Sequence, residues 1–127
     1  MASNEHQILV GNLISYLKKQ NLVILCAAYP GYNQCPPSDR HEPDVRAQDQ
    51  TTDLVSFGEA KTCDDLSSEH TKEQLTDYSQ RVMTAGRSKG AVVPFYLIVP
   101  ESCVSEAWKT LRALGLDQKP NVKVLKS

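Results

Sequence analysis

The chain lacks several features whose absence narrows its class. Its longest apolar run, residues 91–99 (AVVPFYLIV), is far short of the roughly 20 residues a membrane helix needs. Neither charge is in excess: 14 basic residues stand against 15 acidic ones, for a net charge of −1. That argues against a surface that grips nucleic acid everywhere and leaves room only for a local basic patch. No internal repeat and no low-complexity linker is present, so the 127 residues are expected to form one domain spanning 1–127. No Cys-x-x-Cys pair occurs among Cys26, Cys35, Cys63 and Cys103, which weakens a metal role for them. The opening MASNEHQ has no basic start followed by an apolar run, so no secretory leader is expected. A cytoplasmic setting and four reduced thiols follow as expectations.

What is present is ordinary for a globular core, with 40% hydrophobic and 23% charged residues. Ile8, Leu9, Leu13, Ile14 and Leu17 recur at helical spacing over 4–19, with Ser3 or Asn4 as cap and Lys18-Lys19 at the C-terminal end. Residues 22–29 (LVILCAAY) form an apolar run of strand length, expected in the interior of a layered fold. Residues 30–40 hold three prolines and a glycine and read as a loop, in which Tyr32 and Arg40 are either substrate contacts or, as is commoner, plain surface-loop residues. His41 reads as a solvated loop histidine. A helix is expected over 69–85, ending at Gly86, with Leu75, Tyr78 and Val82 inward. His70 and Thr71 lie in its first turn, where free N–H groups suit phosphate. Arg81, Arg87 and Lys89 make a modest basic cluster downstream. Pro94 confines the run 91–99 to a strand edge, bulge or start. A third helix over 101–114 carries Trp108 inward and stops at Gly115, and a short strand over 121–125 closes the chain.

The most informative stretch is 41–62, HEPDVRAQDQTTDLVSFGEAKT. Two alternating runs, 44–47 and 54–60, flank the polar turn Gln50-Thr51-Thr52-Asp53, which is a hairpin pattern. A turn centred between Thr51 and Thr52 pairs residues whose numbers sum to 103, and so sets Asp44 opposite Glu59. Directly opposed side chains lie about 4.5–5.5 Å apart at Cβ. Lys61, two residues beyond Glu59, faces the same way. Two carboxylates side by side repel, and a hard divalent cation is a natural remedy, because Mg²⁺ takes carboxylate oxygens and keeps several waters. A lysine beside them can orient water or neutralise charge on a phosphate.

Pro43-Asp44 followed by Glu59-Ala60-Lys61 resembles the motif of the PD-(D/E)xK, or restriction-endonuclease-like, nuclease superfamily. Gln74 and Tyr78, four residues apart on the next helix, are similar to the Gln-x-x-x-Tyr signature of its RecB-like branch, close to small Holliday-junction-resolvase-like members. The resemblance implies an α/β fold with an αβββαβ core and a mixed central sheet flanked by helices. It implies a divalent-metal-dependent deoxyribonuclease with Asp44, Glu59, Lys61, Gln74 and Tyr78 as catalytic residues. Mg²⁺ or Mn²⁺ would be held by Asp44, Glu59 and the Ala60 carbonyl. In several branches a first-helix glutamate joins the metal site. Glu5 is the only acid this helix offers, although taken alone it reads as a surface acid complementing the helix dipole. DNA is the implied partner, recognised by structure more than by sequence, and a homodimer is implied by analogy with the junction resolvases. Two other readings stay open: a nuclease-like fold that binds DNA or a partner without cutting, and a purely structural ion network joining the acids to Lys61 and Arg46.

Overall fold

The computed structural model describes residues 3–127; Met1 and Ala2 of the opening stretch lie outside the described residues. Helix α1 (Asn4–Lys19) begins where the Ser3 hydroxyl accepts the His6 N–H at 3.1 Å, and Leu9, Val10, Leu13, Ile14 and Leu17 form its buried face. Three strands follow, β1 (Val23–Ala27), β2 (Val45–Gln48) and β3 (Val55–Ala60), paired antiparallel in sequence order. Helix α2 (Glu69–Ser79) then crosses to β4 (Phe95–Val99), and α3 (Val104–Ala113) crosses to β5 (Val122–Lys126). Both crossovers give parallel pairs, so the sheet is mixed, in the order β1-β2-β3-β4-β5.

The sheet separates two apolar cores. On one face α1 packs Leu9, Val10, Leu13 and Leu17 against Ala27, Val45, Ala47, Ala60 and Ile98. On the other, Leu75 and Tyr78 of α2 and Ala107 and Leu111 of α3 meet Phe57, Phe95, Leu97 and Val99. This is a three-layer α/β protein. β4 is buried on both faces, as a central parallel strand must be. No helix among the described residues is long and apolar enough to cross a membrane.

The hairpin register is the one read from the sequence: Val45 faces Gly58, and Gln48 faces Val55. Gly58 lets α1 approach the sheet closely, since a Cβ there would meet Leu13 Cδ2 at 2.7 Å, and Leu13 is fully buried. The element order over the whole chain also matches expectation.

Four expectations are corrected. β1 is an edge strand rather than an interior one, and Val23 and Leu25 stand about half exposed. Helix α2 stops at Ser79, six residues short of Ala85. The chain beyond folds back instead, with Val82 bridging Val92 and the Met83 N–H donating to the Ala91 carbonyl. Val82 and Thr84, both β-branched, offer the helix little propensity against that pairing. Gly86, at φ +80, serves this returning loop rather than a helix cap, and it sits against Asp53 of the hairpin turn. The strand after Pro94 starts at Phe95, which fulfils one of the positions allowed to that proline.

The fourth correction concerns the cysteines, which are paired. Cys26 joins Cys35 across the proline-rich loop, with Cα atoms 4.9 Å apart. Cys63 joins Cys103 at 5.7 Å between Cα atoms, beyond the ends of β3 and β4. The second pair is forty residues apart in sequence and becomes adjacent only because β3 and β4 are parallel neighbours. Chemical spacing motifs carry no sign of such a pair.

Candidate active site

Asp44 and Glu59 meet at the open end of the β2–β3 hairpin. Glu59 is buried, and its Oε1 accepts the Asp44 backbone N–H at 3.1 Å. Asp44 Oδ2 in turn accepts the Ala60 N–H at 2.9 Å, so each acid is tied to the other's strand. Lys61 Nζ stands 3.4 Å from Glu59 Oε2, and the lysine is itself almost fully buried. Burial drives the Glu59 pKa well above that of an ordinary glutamate, and the Asp44 charge adds to it; Lys61 and the Asp44 N–H oppose the rise. A buried, repelled carboxylate of this kind is where a proton or a metal ion relieves the greatest strain.

The third group at the site comes from α1, and it is His6 rather than Glu5. Glu5 is exposed on the first turn, where it serves the helix dipole. The next residue turns inward, and His6 Nε2 lies 3.1 Å from Asp44 Oδ2. That hydrogen bond is the main reason the His6 pKa is raised; the Asp44 charge and the Ala60 carbonyl add, while burial and Lys61 oppose. The sequence does carry a signal for it. His6 continues the inward series Val10, Leu13 and Leu17 at helical spacing.

Gln74 and Tyr78 of α2 lie beneath the acids, on the face of the sheet that Glu59 shares with Phe57. Both are buried, and the Tyr78 ring packs edge-on to Phe57, with centroids 5.6 Å apart. Burial raises the Tyr78 pKa, with Glu59 and Asp44 contributing, so the phenol stays neutral and is a donor rather than a base. A contact with the Gln74 side chain opposes that rise, while Gln74 Oε1 and His6 Nδ1 have no hydrogen-bond partner among the described residues.

His41 is buried rather than solvated. Its ring sits edge-on to Tyr78 and to His70, and Nε2 is 3.1 Å from Asp77 Oδ2, though off the hydrogen-bonding direction. Thr71 is also internal. Its hydroxyl donates to the Asp65 carbonyl at 2.7 Å and its N–H to Ser68 Oγ at 3.0 Å, so it does not present itself to a phosphate. His70 remains exposed. The two arginines of the expected basic cluster are paired with acids, Arg81 with Asp39 and Arg87 with Asp53, and Arg40 of the proline-rich loop is paired with Asp77. Arg46 lies 5.2 Å over the Phe57 ring and donates to the Pro36 carbonyl. It therefore does not join Lys61 in neutralising the two acids.

Among the described residues, no three His, Cys, Asp or Glu side chains converge as a ready-made metal cage. A hard cation does not need one. Mg²⁺ is commonly held by one or two carboxylates and completes its shell with water and substrate oxygens. The donor set of Asp44, Glu59 and the Ala60 carbonyl fits such an ion, and the raised Glu59 pKa shows what an added positive charge would relieve. No family model matches the chain, and no curated protein or solved structure matches it.

Proposed function

We propose that the protein is a divalent-metal-dependent deoxyribonuclease of the PD-(D/E)xK kind. The observation that carries this reading is the buried Glu59 beside the half-buried Asp44, with Lys61 Nζ 3.4 Å from Glu59, assembled from adjacent strands in one register. The αβββαβ order of the first six elements supports a restriction-endonuclease-like core.

Asp44, Glu59 and the Ala60 carbonyl would hold Mg²⁺ or Mn²⁺. When bound, the ion supplies charge stabilisation to the phosphoryl oxygens. The chain's own groups do the rest. Lys61 offers its ammonium to the attacking water and to the charge that builds on the phosphate. The Ala60 N–H and His6 fix Asp44 Oδ2, which sets the orientation of that carboxylate. Tyr78 and Gln74 pack beneath the acids and hold the inner wall of the site. A module of 127 residues offers little surface for reading a base sequence, which favours recognition of DNA structure. A homodimer would set two sites against two strands, which gel filtration checks directly.

The decisive experiment is cleavage of supercoiled, linear, single-stranded and four-way-junction DNA with Mg²⁺, Mn²⁺ or EDTA. Wild type should cut only with metal, and Glu59→Ala and Lys61→Ala should each slow cutting by at least about 100-fold. A folded wild type that is inert on every substrate with either metal would overturn the reading. If it nonetheless bound DNA as well as the variants did, the non-catalytic binder would replace it.

A further inference from the structure

A cleft opens between the start of α1 and the loop after β1, and nothing in the proposed chemistry uses it. Its volume is about 500 Å³, and it is lined by Gln7, Ala28, Tyr29, Pro30, Tyr32 and Gln34. Its position is fixed by bonds that lead straight to the site. The Gln7 amide donates to the Ala28 carbonyl at 3.4 Å, and the Ala28 N–H donates to the Asp44 carbonyl at 2.8 Å. Gln7 also follows His6 on α1. On the other wall, Gln34 donates to Glu42, two residues before Asp44. The wall of the cleft is therefore hydrogen-bonded to the backbone of Asp44.

The loop that builds it is held rigid. The Cys26–Cys35 disulfide closes its base, the Ala27 N–H donates to the Asn33 carbonyl, and the Tyr32 N–H returns to the Tyr29 carbonyl around Gly31. The Tyr29 ring rests on Gly11 of α1, where any Cβ would come within 2.8 Å of the tyrosine hydroxyl. A glycine inside a helix is unfavourable by itself, and here it makes room for an aromatic ring. Tyr29 stays partly exposed in that seat, while Tyr32 forms the half-buried floor. Lys18 stands 5.7 Å over the Tyr32 ring and has no carboxylate partner among the described ion pairs.

A preorganised ring beside amide donors and acceptors, with a free ammonium at the margin, matches one chemistry. The ring would stack on a flat heteroaromatic base, the amide groups that the bonds to Ala28 and Glu42 leave free on Gln7 and Gln34 would meet base edges, and Lys18 would meet a backbone phosphate. We propose that this cleft is a subsite for one unpaired nucleobase, beside the position where a cation at Asp44 and Glu59 would meet the strand's phosphate, so that the strand it serves is single-stranded or frayed DNA. A base stacked within a continuous duplex has no free face to offer Tyr29. The inference rests on the nuclease reading only in taking the ligand to be a DNA strand.

The test reads binding without cutting. Oxidised full-length protein is titrated in EDTA into an oligonucleotide carrying a single 2-aminopurine, whose fluorescence falls on stacking, as a single strand and within a duplex. The single strand should be quenched, and the duplex only weakly. Tyr29→Ala should weaken the single-strand interaction about tenfold, whereas Tyr29→Phe keeps it. Gly11→Ala, which displaces the ring from behind, should also weaken it. Circular dichroism of each variant separates these effects from unfolding. Equal quenching of strand and duplex, or quenching untouched by Tyr29→Ala, overturns the subsite. The two readings fail separately. Quenching in a protein that cuts nothing leaves the base site standing without the nuclease, and metal-dependent cutting without quenching does the reverse.

Discussion

Glu59 is the residue on which stability and chemistry meet. Its raised pKa means that folded Glu59 keeps a proton at pH values where unfolded glutamate, at 4.5, has released it. Folding therefore takes up a proton in that window, and stability falls as pH rises from 4.5 toward the folded pKa. In EDTA, Glu59→Gln should melt higher than wild type at neutral and alkaline pH, with the gap narrowing as pH falls toward 4.5 and steady below it. Mg²⁺ should raise the melting temperature of wild type and leave the variant unmoved. A wild-type melting temperature that ignores both pH and metal would remove the argument for a strained acid. At this scale the sequence was informative wherever geometry is local. Asp44, Glu59 and Lys61 converge because strand alternation and one turn determine where they point. Glu5 and His41 were misread because their burial depends on the angle of α1 and the seat of α2. Neither is a property of neighbouring residues.

Among the elements, the approach of α1 to the hairpin controls the site, since it delivers His6 to Asp44. Gly58→Ala would force the buried Leu13 aside, and overpacking of this kind costs about 1–3 kcal/mol. A urea titration should show that loss, and the NMR signature of the His6–Asp44 contact should weaken with it. A second joint ties the hairpin turn to the loop after α2. Asp53 accepts the Arg87 N–H at 3.0 Å and faces its guanidinium, which depresses the Asp53 pKa to about 2. A depressed carboxylate stabilises above its unfolded pKa of 3.8, and that contribution fades as pH falls toward about 2. Asp53→Asn should therefore melt below wild type at neutral pH and converge with it in acid. Helices and strands were legible from periodicity, but sheet order was not. An apolar run such as 22–29 suits an interior strand and an edge strand equally well, and only the tertiary neighbours distinguish them.

At the scale of the whole molecule, two covalent staples divide the work between site and scaffold. One stiffens the loop that carries Tyr29; the other joins the segments that follow β3 and β4. Loop-closure entropy assigns about 3 kcal/mol to the shorter bridge and about 4 kcal/mol to the longer. Thiol titration of the unfolded, unreduced protein should find no free cysteine, and added reductant should lower the melting temperature clearly. Four reactive thiols in the isolated protein would contradict the pairing. These bridges were the least legible feature of the chain, because a disulfide needs only two Cβ atoms brought close, and folding alone arranges that.

The longer bridge also spans the exposed returning loop, where Lys89 lies open between α2 and β4. A trypsin nick there would leave two fragments, each with part of the sheet, still tethered through Cys63 and Cys103. Such a molecule would run as one band without reductant and as two with it. Continuity of the peptide backbone and integrity of the fold are, in this protein, separable properties.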